Sequence, residues 1–349
     1  MSTLTRSEVV HILRNKTGGL LTEEQIQYKT GLVEQILELK ESMNALILGH
    51  NYMKPGLFYT VPDYCGDSLD LCRKAAQTDK DYIVFCGVRF MAETAKLLNP
   101  DKIVLLPSQK AGCSLAAGIT AEDVKTLRKQ YPGVPVVTYV NTYADVKAES
   151  DICCTSSNAA AVVDSLNSDT VIFLPDEYLA INIAKETGRQ IVFPTKNGQS
   201  GKHKDTDLDV QMIGWKARCE VHEKFTVDDI KQVRKQFPDT YVLAHPECSP
   251  EVVAASDYSG STNQMIKAVE ESDAQQYLLL TECAMGDNIA AMHPEKEMLR
   301  LCSVRCPHMN EITLEDTLAA LQNKQYQIDI PTDIAQRARR AVERMIAIG

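Results

Sequence analysis

An ordered set of motifs, repeated at a spacing of about 100 residues, constrains this chain more than its composition does. Three times an apolar run ends in a short polar element: LILGHNY at 46–52, VTYVNTY at 137–143 and VLAHPEC at 242–248. A small, hydroxyl-rich turn follows each: YCGDS at 64–68, CCTSSN at 153–158 and YSGST at 258–262. Then comes a second strand end: FCGVRF at 85–90, FLPDEY at 173–178 and LTECAM at 280–285. Each series finally reaches one distinctive cysteine, Cys113, Cys219 or Cys306. Similarity in fixed order predicts three related units, placed at 44–120, 121–220 and 221–325, after an N-terminal helical segment at 1–43.

The local pattern sets the fold class. Apolar, β-branched runs at 45–48, 82–86, 103–106, 134–140, 171–174, 190–193, 241–244 and 277–280 alternate with helical patterns at 68–77, 91–98, 121–130, 227–236 and 261–271. Continuous apolar runs, rather than alternating ones, belong to parallel strands covered on both faces. The expectation is α/β: three similar three-layer α/β/α units with short parallel sheets. Functional loops of such sheets gather at the carboxyl ends of the strands. Units facing a common axis would therefore bring nine strand-end loops and three cysteines together. The middle unit carries extra polar sequence at 196–210, read as a surface insertion. An amphipathic helix at 334–348, within a C-terminal segment at 326–349, is expected to pack back on the first unit.

The net charge of −10 excludes a broad nucleic-acid or anionic-membrane surface, and no apolar stretch is long enough to span a bilayer. With no secretory pattern at the N-terminus, a cytoplasmic location is expected. Eleven cysteines in a reducing compartment then suggest metal-binding or buried thiols rather than disulfides. No close C-x2-C pair suggests a zinc ribbon or ferredoxin run. Cys113, Cys219 and Cys306 each follow a basic residue by one to three positions, a setting that favours thiolates. One cysteine from each repeat suits a [4Fe–4S] cluster with one open iron; three ordinary buried thiols are the other reading. Cys65, Cys72, Cys86, Cys153, Cys154, Cys248 and Cys283 are read as packing or loop residues, and Cys302 competes with Cys306 as a ligand. Ser68, Ser156, Ser261 and Thr262 stand at turns opening helices, where they would either cap the helix or help to bind a phosphate or carboxylate. Asp67 and Asp176 are read as loop holders, and His11, His203, His293 and His308 as structural histidines.

The motifs GHNYMKP, GVRFMAETAKLLNPDK, YVNTYADVKA, CTSSNAA, LPDEYLA, CEVHEKFT and HPECSPEVVAASDYSGST together resemble the quinolinate synthase family, from about residue 40 to the C-terminus. The resemblance implies three α/β/α units around a pseudo-threefold axis with the active site at the centre. It implies one [4Fe–4S] cluster per chain held by Cys113, Cys219 and Cys306, the last preferred to Cys302 because it stands beside CP in CPHMN. Lys216 and Arg218 depart from the family's pattern near the second ligand, as does the 196–210 insertion. The implied reaction condenses iminoaspartate with dihydroxyacetone phosphate to quinolinate, phosphate and water in NAD biosynthesis. A functional link to an iminoaspartate-producing oxidase or dehydrogenase would follow. His50, Tyr52, His222, His245 and Glu247 match the family's active-site motifs: Glu247 and Tyr52 as acid/base groups, His50 as a catalytic and substrate-binding residue, His222 and His245 orienting substrate. Tyr139 and Asn141 resemble its carboxylate-binding pair. Rival readings are another iron–sulfur hydro-lyase, an iron–sulfur regulator and a solute-binding protein; the first lacks these motifs, the second a basic recognition helix, the third an export signal.

Overall fold

The structure, a computed structural model, describes residues 4–194, 210–301 and 304–348. The expectations for Cys302, His203 and all but the last residue of the 196–210 insertion lie outside the described residues.

Two helices, Arg6–Lys16 and Glu23–Ser42, open the fold, each started by a threonine in a reciprocal capping box: Thr5 with Glu8, and Thr22 with Gln25. Three sheets follow. The first contains β1 (Ala45–His50), β2 (Tyr64–Gly66), β3 (Tyr82–Cys86) and β4 (Ile103–Leu105), in the order β2-β1-β3-β4. The second contains β5 (Val136–Tyr139), β6 (Ile152–Cys154), β7 (Val171–Leu174), β8 (Ile191–Val192) and β9 (Met212–Gly214), ordered β6-β5-β7-β9-β8. The third contains β10 (Tyr241–Ala244), β11 (Tyr258–Ser259), β12 (Gln276–Leu280) and β13 (Glu297–Arg300), ordered β11-β10-β12-β13. Every pairing is parallel. In each sheet the second strand flanks the first on one side and the third on the other. The middle sheet adds one strand, β8, beyond that plan.

Helices flank the sheets, giving the α/β class read from the sequence. β1, β5 and β7 are buried along their whole lengths, which is why they read as unbroken apolar runs. The helices Ser68–Gln77, Ala121–Gln130 and Val227–Gln236 begin and end where the pattern placed them, the last capped by Thr226. Edge strands β2, β6 and β11 were not legible: two or three residues of Cys, Gly, Ser, Tyr or Ile carry no period. The C-terminal helix Thr332–Ile346 lies against the helix Ala144–Ala148 and β6 as well as against the helix Arg89–Leu98. It thus touches the second unit and the first. No helix among the described residues is long and apolar enough to cross a membrane.

One clasp recurs in all three units. The aspartate that precedes each edge strand accepts from the backbone N–H of the neighbouring central strand: Ile47 to Asp63 at 2.8 Å, Val136 to Asp151 at 2.7 Å, Val242 to Asp257 at 2.8 Å. Each aspartate also meets a cation from the preceding helix, Lys40, Arg128 or Arg234, at 2.8, 2.8 and 2.7 Å. The same cation donates to the carbonyl two residues before the aspartate: Val61, Glu149 or Ala255. One charged pair thereby ties helix, central strand and edge strand together. We expect Asp151→Ala to lower unfolding stability by about 1–3 kcal/mol, since Val136 N–H and Arg128 both lose their acceptor. Lys231→Ala, in an exposed pair with Asp228, should change it by less than about 0.5 kcal/mol. Denaturant unfolding of the two variants checks this, and equal effects would count against the clasp.

Candidate active site

The carboxyl ends of the central strands meet around one cavity. Strand β1 delivers His50 and, two residues on, Tyr52; β5 delivers Tyr139 and Asn141; the turn after β10 delivers His245 and Glu247. His50 and His245 play matching local parts. Each Nδ1 accepts the backbone N–H of the residue two further on, Tyr52 at 3.2 Å and Glu247 at 3.3 Å. Both rings are buried, and burial pushes their pKa down to about 3. They are neutral, with the proton on Nε2.

Around Glu247 runs a continuous chain of hydrogen bonds. Tyr139 O–H donates to its Oε1 at 2.6 Å, and Asn141 Nδ2 donates to the same oxygen at 3.2 Å. His222 Nδ1 donates to Oε2 at 2.7 Å. On the far side of that ring, Nε2 faces Thr281 Oγ1 at 3.0 Å, which in turn lies 2.6 Å from Tyr52 O–H. Thr281 Oγ1 thus bridges His222 Nε2 and Tyr52 O–H, a hydroxyl that can donate to one and accept from the other. Burial acts to raise the Glu247 pKa, but His222 and the bonds from His222 and Tyr139 outweigh it, and the carboxyl is held below its ordinary range. Tyr52 and Tyr139 are shifted well up, first by burial and then by the Glu247 charge, so both stay phenolic. Asn141 lines the cavity, and its Oδ1 is buried with no partner among the described residues.

Cys113, Cys219 and Cys306 all line this cavity, one from each repeat, and no other described cysteine does. Backbone N–H groups near each sulfur act to lower its pKa, those of Leu115 and Ala116 at Cys113, Val221 and His222 at Cys219, and His308 and Met309 at Cys306, and Met309 N donates to Cys306 Sγ at 3.5 Å. Such amides stabilise a thiolate or a metal-bound sulfur. Burial first, and then nearby negative groups such as Glu247 at Cys113 and Cys219 and Glu282 at Cys306, raise all three thiols, Cys113 to about 12, Cys306 to about 11 and Cys219 well up, so a cationic centre is needed to hold them ionised. The three residues therefore fit a cluster with three protein ligands. Ligand atoms of Cys219, His222 and Glu247 also lie within 4.8 Å of one another. A single ion there would break the His222–Glu247 bond and leave Cys113 and Cys306 unused.

Ser68, Ser156 and Thr262 line the cavity, Ser68 and Thr262 as first residues of ten-residue helices. Ser261 does not line it: its hydroxyl donates to Asp67 Oδ2 at 3.0 Å and caps the helix at Gln264 N. Among the described lining residues none is Lys or Arg, so an anion here meets helix N-termini, hydroxyls and imidazoles. Asp67, read as a loop holder, caps its helix and also lines the cavity; Asp176 caps the helix Glu177–Glu186 away from it. His308, read as structural, lines the cavity and meets Glu220 at 3.1 Å. Thr281 escaped the sequence reading because a threonine ending an apolar strand looks like an ordinary β-former. The other described cysteines stay outside the cavity.

A three-unit α/β centre with one buried, cysteine-lined cavity and a network of titratable side chains is the architecture of an enzyme site. Residues 34–347 match the family model described as Quinolinate synthetase A protein. Quinolinate synthase 2 of Mesorhizobium japonicum is 54% identical over 318 residues, 91% of this chain and 91% of that one. Quinolinate synthase of Agrobacterium fabrum is 54% identical over 316 residues, 90% of this chain and 85% of its own. That of Xylella fastidiosa is 52% identical over 335 residues, 96% and 92%. The chain belongs to the quinolinate synthetase A family.

The depressed histidines make acid stability a test of the site. A folded pKa near 3 against an unfolded value of 6.5 means that stability is complete above 6.5 and is lost as pH falls toward 3. At pH 5 each ring should have removed about 2 kcal/mol. Denaturant unfolding at pH 7 and pH 5 should show that loss, and His50→Asn should lessen it. An acid dependence identical to that of the parent protein would contradict the burial.

Proposed function

We propose that the chain is a quinolinate synthase that condenses iminoaspartate with dihydroxyacetone phosphate, releasing phosphate and water, in NAD biosynthesis. The observation that carries this reading is one cavity lined by three cysteines from three repeats and by Tyr52, His222 and Glu247, with Thr281 bridging the first two. Cys113, Cys219 and Cys306 would hold a [4Fe–4S] cluster. When bound, its open iron supplies Lewis-acid polarisation of a substrate oxygen without net electron transfer.

The residues divide the remaining work by their chemistry. Iminoaspartate carries two carboxylates, and the second N–H of Asn141 with the helix ends at Ser68 and Thr262 offers neutral donors for them, while Tyr139 beside it holds Glu247. Ser156, on another wall, together with the Nε2–H of neutral His50 and His245, can hold the phosphate or hydroxyls of the triose. Condensation needs a proton removed from carbon, and later dehydrations need a proton delivered to a departing hydroxyl. Glu247, kept ionised, is the base at the far end of the chain. Tyr52 lines the cavity, and Thr281 and His222 connect it to Glu247, so as Tyr52 takes a proton from substrate its own can pass to Thr281, that of Thr281 to His222 Nε2 and that of His222 Nδ1 to Glu247, without bulk water. An imine hydrolyses readily, so direct supply by an iminoaspartate-forming oxidase or dehydrogenase suits this substrate.

Protein purified without oxygen should contain about four irons per chain and form quinolinate from the two substrates. One iron per chain would favour the Cys219–His222–Glu247 site, and failure of the iron-replete protein to form quinolinate would reject the assignment. Cys306→Ser should lose iron while Cys302→Ser keeps it. Thr281→Val should lower kcat by about 10- to 100-fold with iron content unchanged, because it breaks the proton path and leaves the packing. A wild-type kcat would exclude Thr281 from that path.

A further inference from the structure

The three active residues that follow the central strands, Tyr52, Asn141 and Glu247, share a feature of their backbone. The carbonyl before each and the carbonyl after each are both held by a single side chain. Asn288 Nδ2 donates to Asn51 O at 3.1 Å and Met53 O at 2.9 Å, on either side of Tyr52. Asn182 Nδ2 donates to Pro246 O at 2.9 Å and Cys248 O at 3.1 Å, on either side of Glu247. Lys147 Nζ donates to Val140 O at 2.9 Å and also to Thr142 O, on either side of Asn141.

Two of these grips cross between units in a common sense. Asn288 and Asn182 are each the sixth residue of a ten-residue helix, Cys283–Met292 and Glu177–Glu186, that follows the third strand of its sheet. The third unit thus holds the Tyr52 turn of the first, and the second unit holds the Glu247 turn of the third. By that order the first unit's helix, Arg89–Leu98, should hold the Asn141 turn of the second. Its sixth residue is Thr94, whose hydroxyl is turned back onto Phe90 O. Glu93, one position earlier, instead accepts from Ala144 N at 2.8 Å, and the carbonyls of the turn are taken by fully buried Lys147 from within the second unit.

We propose that Asn288, Lys147 and Asn182 are positioning residues that set the placement of Tyr52, Asn141 and Glu247 in the cavity. This rests on the active-site roles proposed above for those three. A turn whose two carbonyls converge on one donor cannot rotate its middle residue without losing both bonds. Each donor comes from a helix, a rigid element, so the active side chain inherits that rigidity. An ammonium buried against carbonyls adds little to stability that an apolar side chain would not. Holding a turn in one conformation accounts for its presence.

The test uses iron-replete full-length protein. Asn182→Ala should lower kcat by about 10- to 100-fold, the range expected when a reacting group is displaced by about 1 Å. Iron content should not change, and amide hydrogen exchange should quicken at 245–248. In a double-mutant cycle with Glu247→Gln, the loss from Asn182→Ala should largely vanish. Lys147→Met, read by exchange at 140–142 and cycled against Asn141→Ala, forms a second arm should the first variant fold poorly. A lower melting temperature with kcat and local exchange at parent values in either arm would mean a structural role only and would overturn the inference. Additive cycles would do the same. If Glu247→Gln and Asn141→Ala are themselves silent, the active-site roles fail first, and the positioning proposal falls with them.

Discussion

A single carboxylate, sealed from water where three units meet, organises this molecule. Glu247 is 3% exposed and accepts from Tyr139 and Asn141 of the second repeat and from His222 in the segment after Cys219. Removing one partner of a buried charge typically costs about 3–5 kcal/mol, because the other is left uncompensated. The active charge therefore exists only when the second and third units are docked. Tyr52, from the first unit, joins the same chain through Thr281 of the third. Assembly of the units and assembly of the site are one event.

Three copies of one supersecondary plan make that convergence possible while allowing chemistry to diverge. The strand-end position is histidine in the first and third units and tyrosine in the second; two residues on it is Tyr52, Asn141 or Glu247. The backbone frame underneath changes less. Each unit keeps the aspartate clasp at the amino ends of its strands, far along the sheet from the cavity. The clasp holds the framework and leaves the carboxyl ends free to vary, the same division of labour found at strand ends of α/β folds generally.

How much of this was legible in the sequence follows from the range of the interactions. The central strands and long helices declare themselves locally, through apolar runs and caps such as Thr226. The repeat itself exposed the strand-end positions, and with them His50, Tyr139 and His245. Thr281 was invisible, since its part depends on Tyr52 and His222, 229 and 59 residues away. The aspartate clasps were equally hidden: Asp151 is one surface carboxylate among many until Val136 N–H and Arg128 are seen to meet on it. Ser261 and Thr262, adjacent and chemically alike, were read together. Only the fold separates them, turning one hydroxyl to Asp67 and setting the other at the cavity wall.

The absence of Lys and Arg from the described cavity wall is consistent with the same carboxylate. The proposed anionic substrates invite basic side chains, yet an ammonium beside Glu247 would pair with it and weaken it in the proposed role of base. A lysine amine would also attack the ketone of the proposed triose phosphate and divert it into a Schiff base. Helix N-termini avoid both problems, because their partial positive charge is fixed in the backbone and neither titrates nor migrates. The Ser68 and Thr262 helices open at the cavity, and the one buried ammonium among the described residues, that of Lys147, has its bonds turned onto main-chain carbonyls. In the proposed reaction, binding of anionic substrates and an ionised Glu247 are compatible because the positive groups at the cavity belong to the main chain.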